Sequence, residues 1–267
     1  MNQSVKRVVS LCPSITETVA ALGAWERLVG RTRYCIHPAD RVAQKTDVGG
    51  TKAPNIQKII ELKPDLILLN EEENRLKDAQ LLAQAGLRVE SFLPRDLAST
   101  ASYIQRLGLV LHCQQQAEIL LGQLDEASSA LTMDRDEDWS PGFIYLIWRK
   151  PWMGVRSGTF ISSMLEQGGF RNLLQALRTE QPQEAKDRKD YPVLTGEDIK
   201  RFDPTFVFLS SEPFPFKQEH IDELAESTGL RTNRFVLVDG ELLSWHGVRT
   251  IAGLNYVRQL TKQLRPR

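Results

Sequence analysis

The chain has no GxSxG elbow, no P-loop, no GxGxxG after a strand-like run and no HExxH pair. Nucleophilic-serine, nucleotide-phosphate, dinucleotide and zincin chemistries therefore lack their usual sequence anchors. An apolar run of the ~20 residues that span a bilayer is missing too, so membrane insertion is not expected. The opening residues, MNQSVKRVVSLCPS, hold a short apolar stretch broken by Ser10 and no leader-type h-region. They read as the start of a cytoplasmic protein, or of a periplasmic one if a leader once preceded Met1. Charge of one sign is also missing: Lys and Arg total 34, Asp and Glu total 34, with no long basic block, so neither nucleic acid nor an anionic membrane is an expected partner. Cysteine is scarce. Cys12, Cys35 and Cys113 are an odd set without a disulfide pattern, which fits a reducing compartment.

What is present is 267 residues of ordinary globular composition, enough for one large domain or two modest lobes. A β-branched run over 7–11 precedes Ser14-Ile15-Thr16-Glu17, which reads as a capping box. Ile15, Val19 and Leu22 then recur at helical spacing up to Gly23. A helix over 56–62 leads through Lys63-Pro64-Asp65 to a strand over 66–69. A helix ending at Gln84, a stop at Gly86 and a strand over 88–92 follow. From 97 to about 133 there is only helix signal, with Ala117, Leu120, Leu121, Leu124, Ala127 and Leu131 on one stripe. Beyond the acidic run 134–138, strands are expected over 143–148, 206–209 and 235–238, and a last helix over 248–264. Such alternation predicts an α/β fold with largely parallel sheets.

The halves echo each other. ELKPDLILLNEEE (61–73) is matched by KRFDPTFVFLSSEP (200–213), and SITETVAALGAWERLVG (14–30) more loosely by GTFISSMLEQGGFRNLL (158–174). The expected organisation is an N-terminal α/β lobe (1–112), a connecting backbone helix (113–136) and a C-terminal α/β lobe (137–267), with a ligand cleft between the lobes. Ligands of open parallel sheets sit beyond the carboxyl ends of strands, which is where Asn70, Glu71, Glu72 and Arg75 fall in one half and 210–212 in the other. The three glutamates also suit a helix start, where the dipole favours acids.

Trp148, Arg149 and Trp152 (WRKPW) end a strand, and Trp245, His246 and Arg249 (SWHGVR) precede the last helix. Flat aromatic faces beside cations suit a flat ligand with polar edges. With Lys52, Asn70, Glu71, Glu72 and Arg75 these residues form the candidate ligand-binding set, the arginines facing carboxylate, phosphate or amide oxygens. Trp25 and Trp139 read as core or edge packing, and His112 and His220 as surface residues. Cys35 and His37, with His246, are weak candidates for a metal such as zinc; the alternative is a buried thiol and a loop histidine. The stretch EAKDRKDY (184–191) reads as a solvated loop or a flap.

RVVSLCPSITETVAALG, VGGTKAPNIQKIIELKPDLIL, the long helix and FISSMLEQGGFRNLL together resemble the periplasmic-binding-protein family for iron–siderophore complexes and cobalamin (class III). NEEENR, YLIWRKPWM, LSSEPFPF and SWHGVR resemble its helical-backbone metal receptor subgroup. The resemblance implies a non-enzymatic receptor of an ABC importer. It would need no cofactor and would hold a corrinoid or metal chelate as a small-molecule ligand. It also implies permease docking through acidic residues on both lobes, here Glu71, Glu72 and Glu73 with Asp78, and 219–223. Two alternatives stay open: a metal-dependent enzyme using Cys35, His37 and His246, and a protein-interaction module that has lost its ligand.

Overall fold

A computed structural model describes residues 5–176 and 190–266; most of the predicted loop 184–191 (184–189) lies outside them. The chain divides into two compact units, Met1–Glu126 with Trp245–Ile251, and Ala127–Ser244 with Ala252–Arg267.

In unit 1, strands β1 (Val8–Ser10), β2 (Leu28–Arg31), β3 (Thr46–Asp47), β4 (Leu66–Asn70) and β5 (Val89–Phe92) form one sheet in the order β3-β2-β1-β4-β5. Every pairing is parallel. The uninterrupted apolar runs of β1 and β4 have this cause: each residue in them is buried, as expected for a parallel strand covered on both faces. Val9, Leu11, Val48, Ile59, Ile67, Leu69 and Leu82 make one core cluster. At Gly30 the chain is so close to its neighbours that a Cβ would lie 2.8 Å from Leu62 Cδ1. The helices are α1 (Pro13–Ala21), α2 (Ile56–Glu61), α3 (Leu76–Gln84) and α4 (Leu97–Val110), and α5 (Gln114–Met133) carries the chain on into unit 2.

One expectation fails at α1. Ser14 is not an N-cap: Cys12 is, without a side-chain hydrogen bond, and Pro13 opens the helix. Proline has no N–H to satisfy and a φ preset for the first turn, so the helix begins two residues earlier. That frees Ser14 and Glu17 for other partners. Gly23 and Gly86 terminate helices at φ +76° and +80°, and Lys63 does the same at φ +46°, where a side chain carries a steric penalty.

Unit 2 repeats this plan. Strands β6 (Gly142–Trp148), β7 (Trp152–Gly154), β9 (Val193–Leu194), β10 (Phe206–Ser210) and β11 (Phe235–Val238) are ordered β11-β10-β6-β7-β9, and β8 (Arg171–Asn172) pairs with β6 off that path. In unit 1 the run is strand, α1, then β2 parallel to β1; here α6 (Phe160–Gln167) leads to β8 parallel to β6. The sequence echo thus corresponds to a shared topology. The hairpin of β6 and β7 is antiparallel and has no counterpart among the described residues of unit 1; its turn holds Lys150 at φ +61°. In both sheets the strand order reverses beside the first strand, between β1 and β4 and between β6 and β10. Such switch points open a crevice at the strands' carboxyl ends. No helix among the described residues is long and apolar enough to cross a membrane.

Candidate functional site

The carboxyl ends of β1 and β4 carry a connected set of buried polar groups. Asn70 ends β4, and its Oδ1 accepts the N–H groups of Glu72 and Glu73 at 2.9 and 3.0 Å. The acidic triplet is therefore a turn organised by asparagine rather than a helix start; α3 begins later, with Arg75 as N-cap. Asn74 locks the turn: its Oδ1 accepts Asn70 N–H at 2.8 Å, and its Nδ2 donates to Leu11 O and Thr51 O at 2.9 and 3.0 Å. Lys52 donates from Nζ to the Glu72 carbonyl, and Ser91 Oγ donates to Glu71 at 3.2 Å.

The amide orientation of Asn70 decides the state of His246. With Oδ1 held by two backbone donors, Nδ2 faces His246 Nε2 at 2.9 Å. That nitrogen must accept, so the neutral ring carries its proton on Nδ1. Ser14 Oγ lies 3.2 Å from the same Nε2. Burial lowers the His246 pKa to about 4, because charging an imidazole out of contact with water is unfavourable. Tyr103 closes the ring edge-on at 5.2 Å.

The rest of SWHGVR fastens the same segment. Val248 N–H donates to Thr18 Oγ1 at 3.2 Å. A Cβ at Gly247 would sit 2.2 Å from that oxygen, and its φ is +85°, so only glycine fits. Arg249 grips Glu17 with Nε and Nη2 at 2.7 and 2.6 Å. Its guanidinium lies 5.0 Å from the Trp245 ring centre, and His37 packs edge-on against the same indole at 5.6 Å. Trp245 is buried. The structure thus brings Asn70, Glu71, Glu72 and Lys52 together at one turn, and Trp245, His246 and Arg249 in the segment bound to α1 and β4. Arg75 stands exposed at the end of the turn.

Cys35 is buried, its sulfur 3.1 Å from Thr16 Oγ1 and 3.2 Å from Thr32 Oγ1. Burial pushes the Cys35 thiol up and the Cys12 thiol to about 12, which opposes the thiolate that a metal ligand must be. Among the described residues, no three His, Cys, Asp or Glu side chains are grouped to hold a metal.

In unit 2 the carboxyl ends of β6 and β10 carry aromatics. Trp148, 41% exposed, meets Phe214 edge-on at 5.9 Å, and Trp152 stacks on Phe216 at 6.1 Å. Arg149 lies over Trp152 at 6.0 Å and pairs with Glu223 at 2.7 Å. His220 is not a surface residue: it is buried, accepts Lys217 N–H on Nδ1 at 2.9 Å, and packs against Phe214 and Phe216. At the third position of a helix a side chain folds back to the N-cap, which the periodicity alone did not reveal. Trp25 packs under Arg41 and Lys45, and Trp139 against Phe170. Ser14, Glu17, Thr18, Asn74 and Tyr103 were not singled out as site residues; the two asparagines flanking the acids of NEEEN were the one local signal for Asn74.

The model of a family described as Periplasmic binding protein matches residues 8–238. The chain belongs to the periplasmic binding protein family. As a periplasmic binding protein it is a binding protein rather than an enzyme. It is 26% identical to the uncharacterized ABC transporter substrate-binding lipoprotein YvrC of Bacillus subtilis (strain 168), over 98% of this chain and 80% of that one. It is 28% identical to the vitamin B12-binding protein of Yersinia pseudotuberculosis serotype O:3 (strain YPIII), over 70% of this chain and 66% of that protein. Its fold matches the periplasmic heme-binding protein RhuT from Roseiflexus sp. RS-1 in apo form, with a TM-score of 0.80 at 19% identity over 98% and 99% of the two chains.

Proposed function

We propose that this periplasmic binding protein is the substrate-binding component of an ABC importer, and that its ligand is a metal-bearing macrocycle or chelate of the corrinoid, haem or iron-complex class. The observation that carries this reading is the exposed indole of Trp148 beside Arg149 and Trp152 at the switch point of unit 2. An aromatic face with an adjacent guanidinium matches a conjugated ring bearing carboxylate or amide edges. The relatives named for vitamin B12 and heme support the same class. Unit 1 offers a polar set of its own suited to such a ligand class, Lys52, Glu71, Glu72 and Arg75, on a floor held by Asn70, Trp245, His246 and Arg249. Relatives named as a lipoprotein and a periplasmic protein support a place outside the cytoplasm, against the cytoplasmic expectation.

Titration with cyanocobalamin, hemin and a ferric siderophore, followed by tryptophan fluorescence, tests the reading. One of them is expected to bind, and Trp148→Ala to weaken it about thirtyfold, as for a buried aromatic anchor. No binding by any of the three, or an unchanged affinity in the variant, rejects it.

Permease docking belongs to the same proposal. Glu73 in unit 1 and Glu219 in unit 2 are exposed acids suited to meet permease arginines. Exchanging both for Arg is expected to leave ligand affinity unchanged and lower import about tenfold, through like-charge repulsion. Unaltered import by the double variant would remove these residues from the docking surface.

A further inference from the structure

Unit 1 has a cavity of about 310 Å³ between β5 and α4, lined by Glu90, Ser91 and Phe92 on the strand and by Ser102, Tyr103 and Arg106 on the helix. Its size is at the low end for ligand sites, which selects a small metabolite. The floor is aromatic: Phe92 and Tyr103 meet edge-on at 4.8 Å.

The charge is unevenly shared. Glu90 receives Arg88 Nη2 at 2.6 Å and Arg106 Nη2 at 3.0 and 3.2 Å, with Arg106 Nε at 3.3 Å. Two guanidinium groups therefore stand on the Glu90 carboxylate, while the nearby Glu71 carboxylate is held by Ser91 Oγ. Arg106 is 51% exposed in its side chain, and among the described residues its Nη1 has no hydrogen-bond acceptor.

β5 is an edge strand. Ile67 N–H and Glu71 N–H donate to Arg88 O and Phe92 O at 2.9 and 3.0 Å, so Arg88, Glu90 and Phe92 turn their peptide groups towards β4. The alternation of a parallel ladder then points the Ser91 amide away from the sheet.

We propose that this cavity is a separate binding site on unit 1 for a small carboxylate, held by Arg106 Nη1 and the Ser91 amide over the Phe92–Tyr103 floor. A guanidinium N–H and an outward backbone donor lining one cavity are donors that a carboxylate's two oxygens can satisfy. Neither the Trp148 platform nor the importer reading enters into it.

The test is a titration of the intact protein with sodium succinate, against sodium chloride at matched ionic strength, read from backbone amide resonances. A saturable shift is expected at Ser91, Phe92, Ser102 and Arg106 with succinate alone. In Arg106→Gln the apparent affinity is expected to fall about tenfold or more, the loss of one charge-assisted pair. Glu90 keeps Arg88 in that variant, so folding should survive. Arg106→Lys, which keeps the charge and loses the fork, gives the same readout if the Gln variant does not fold, with a smaller loss. Shifts that do not saturate, that chloride reproduces, or that are equal in wild type and variant overturn the site.

Discussion

Asn70→Ala is expected to destabilise unit 1 by about 3 kcal/mol, measured by urea unfolding, because its side chain serves three partners at once. Removing it leaves the Glu72 and Glu73 N–H groups without their acceptor and His246 Nε2 without its amide donor. The turn carrying Glu71 and Glu72 would loosen with it, so ligand binding should fall in parallel. Asn70→Asp separates these effects. It preserves both backbone acceptances and replaces the donor facing His246 with an anion, which favours the imidazolium. A variant Asn70→Ala within about 1 kcal/mol of wild type would show that the turn is held by Asn74 instead, since the loss of even one buried hydrogen bond costs more than that when a partner is stranded.

His246 should make the protein acid-sensitive in a defined window. Its folded pKa, about 4, lies below the ordinary 6.5, so between those values the unfolded chain binds a proton that the folded one refuses. Stability contributed by the neutral ring is complete above pH 6.5 and is lost as pH falls towards 4. At 1.36 kcal/mol per pKa unit the loss is on the order of 3 kcal/mol. Carboxylates such as Glu90, Asp96 and Asp198, with pKa values held down by their partners, lose their contributions at lower pH. His246→Gln isolates the histidine: an amide oxygen still accepts from Asn70 Nδ2 but does not titrate. The pH slope of urea unfolding over this window should be steep in wild type and flat in the variant. Equal slopes would mean that the protonated ring finds a partner in the folded state.

Both predictions concern residues whose importance was visible in the chain while their jobs were not. Asn70 was singled out because it ends an apolar strand, yet nothing in NEEENR showed that it caps the acidic turn. SWHGVR stands out for its tryptophan, expected as a stacking wall, and its arginine, expected to face ligand oxygens. In the fold, Arg249 holds Glu17, a residue some 230 positions away, and Trp245 is buried. A helical pair three or four residues apart can be read from spacing; a pair so distant depends on how the chain returns. By spacing Ser14 and Glu17 suit a local capping box, and both instead bond the 245–249 segment. Likewise the short β2, β3, β7, β8 and β9 are not legible in the sequence and exist through their pairing with neighbouring strands.

The sequence by itself determined the α/β class, the repeated strand–helix order of the two halves, the apolar strands β4, β6, β10 and β11, and the helix stops at Gly23 and Gly86. These follow from local rules: two-sided burial writes a continuous apolar run, and a left-handed residue favours glycine. Only the tertiary structure decided which polar side chains meet. The tautomer of His246, the Glu17–Arg249 grip, the burial of His220 and the Arg106 cavity all join residues on separate elements. Hydrogen bonds and ion pairs require partners within about 3 Å, and that distance is set by the sheet order rather than by any neighbour in sequence.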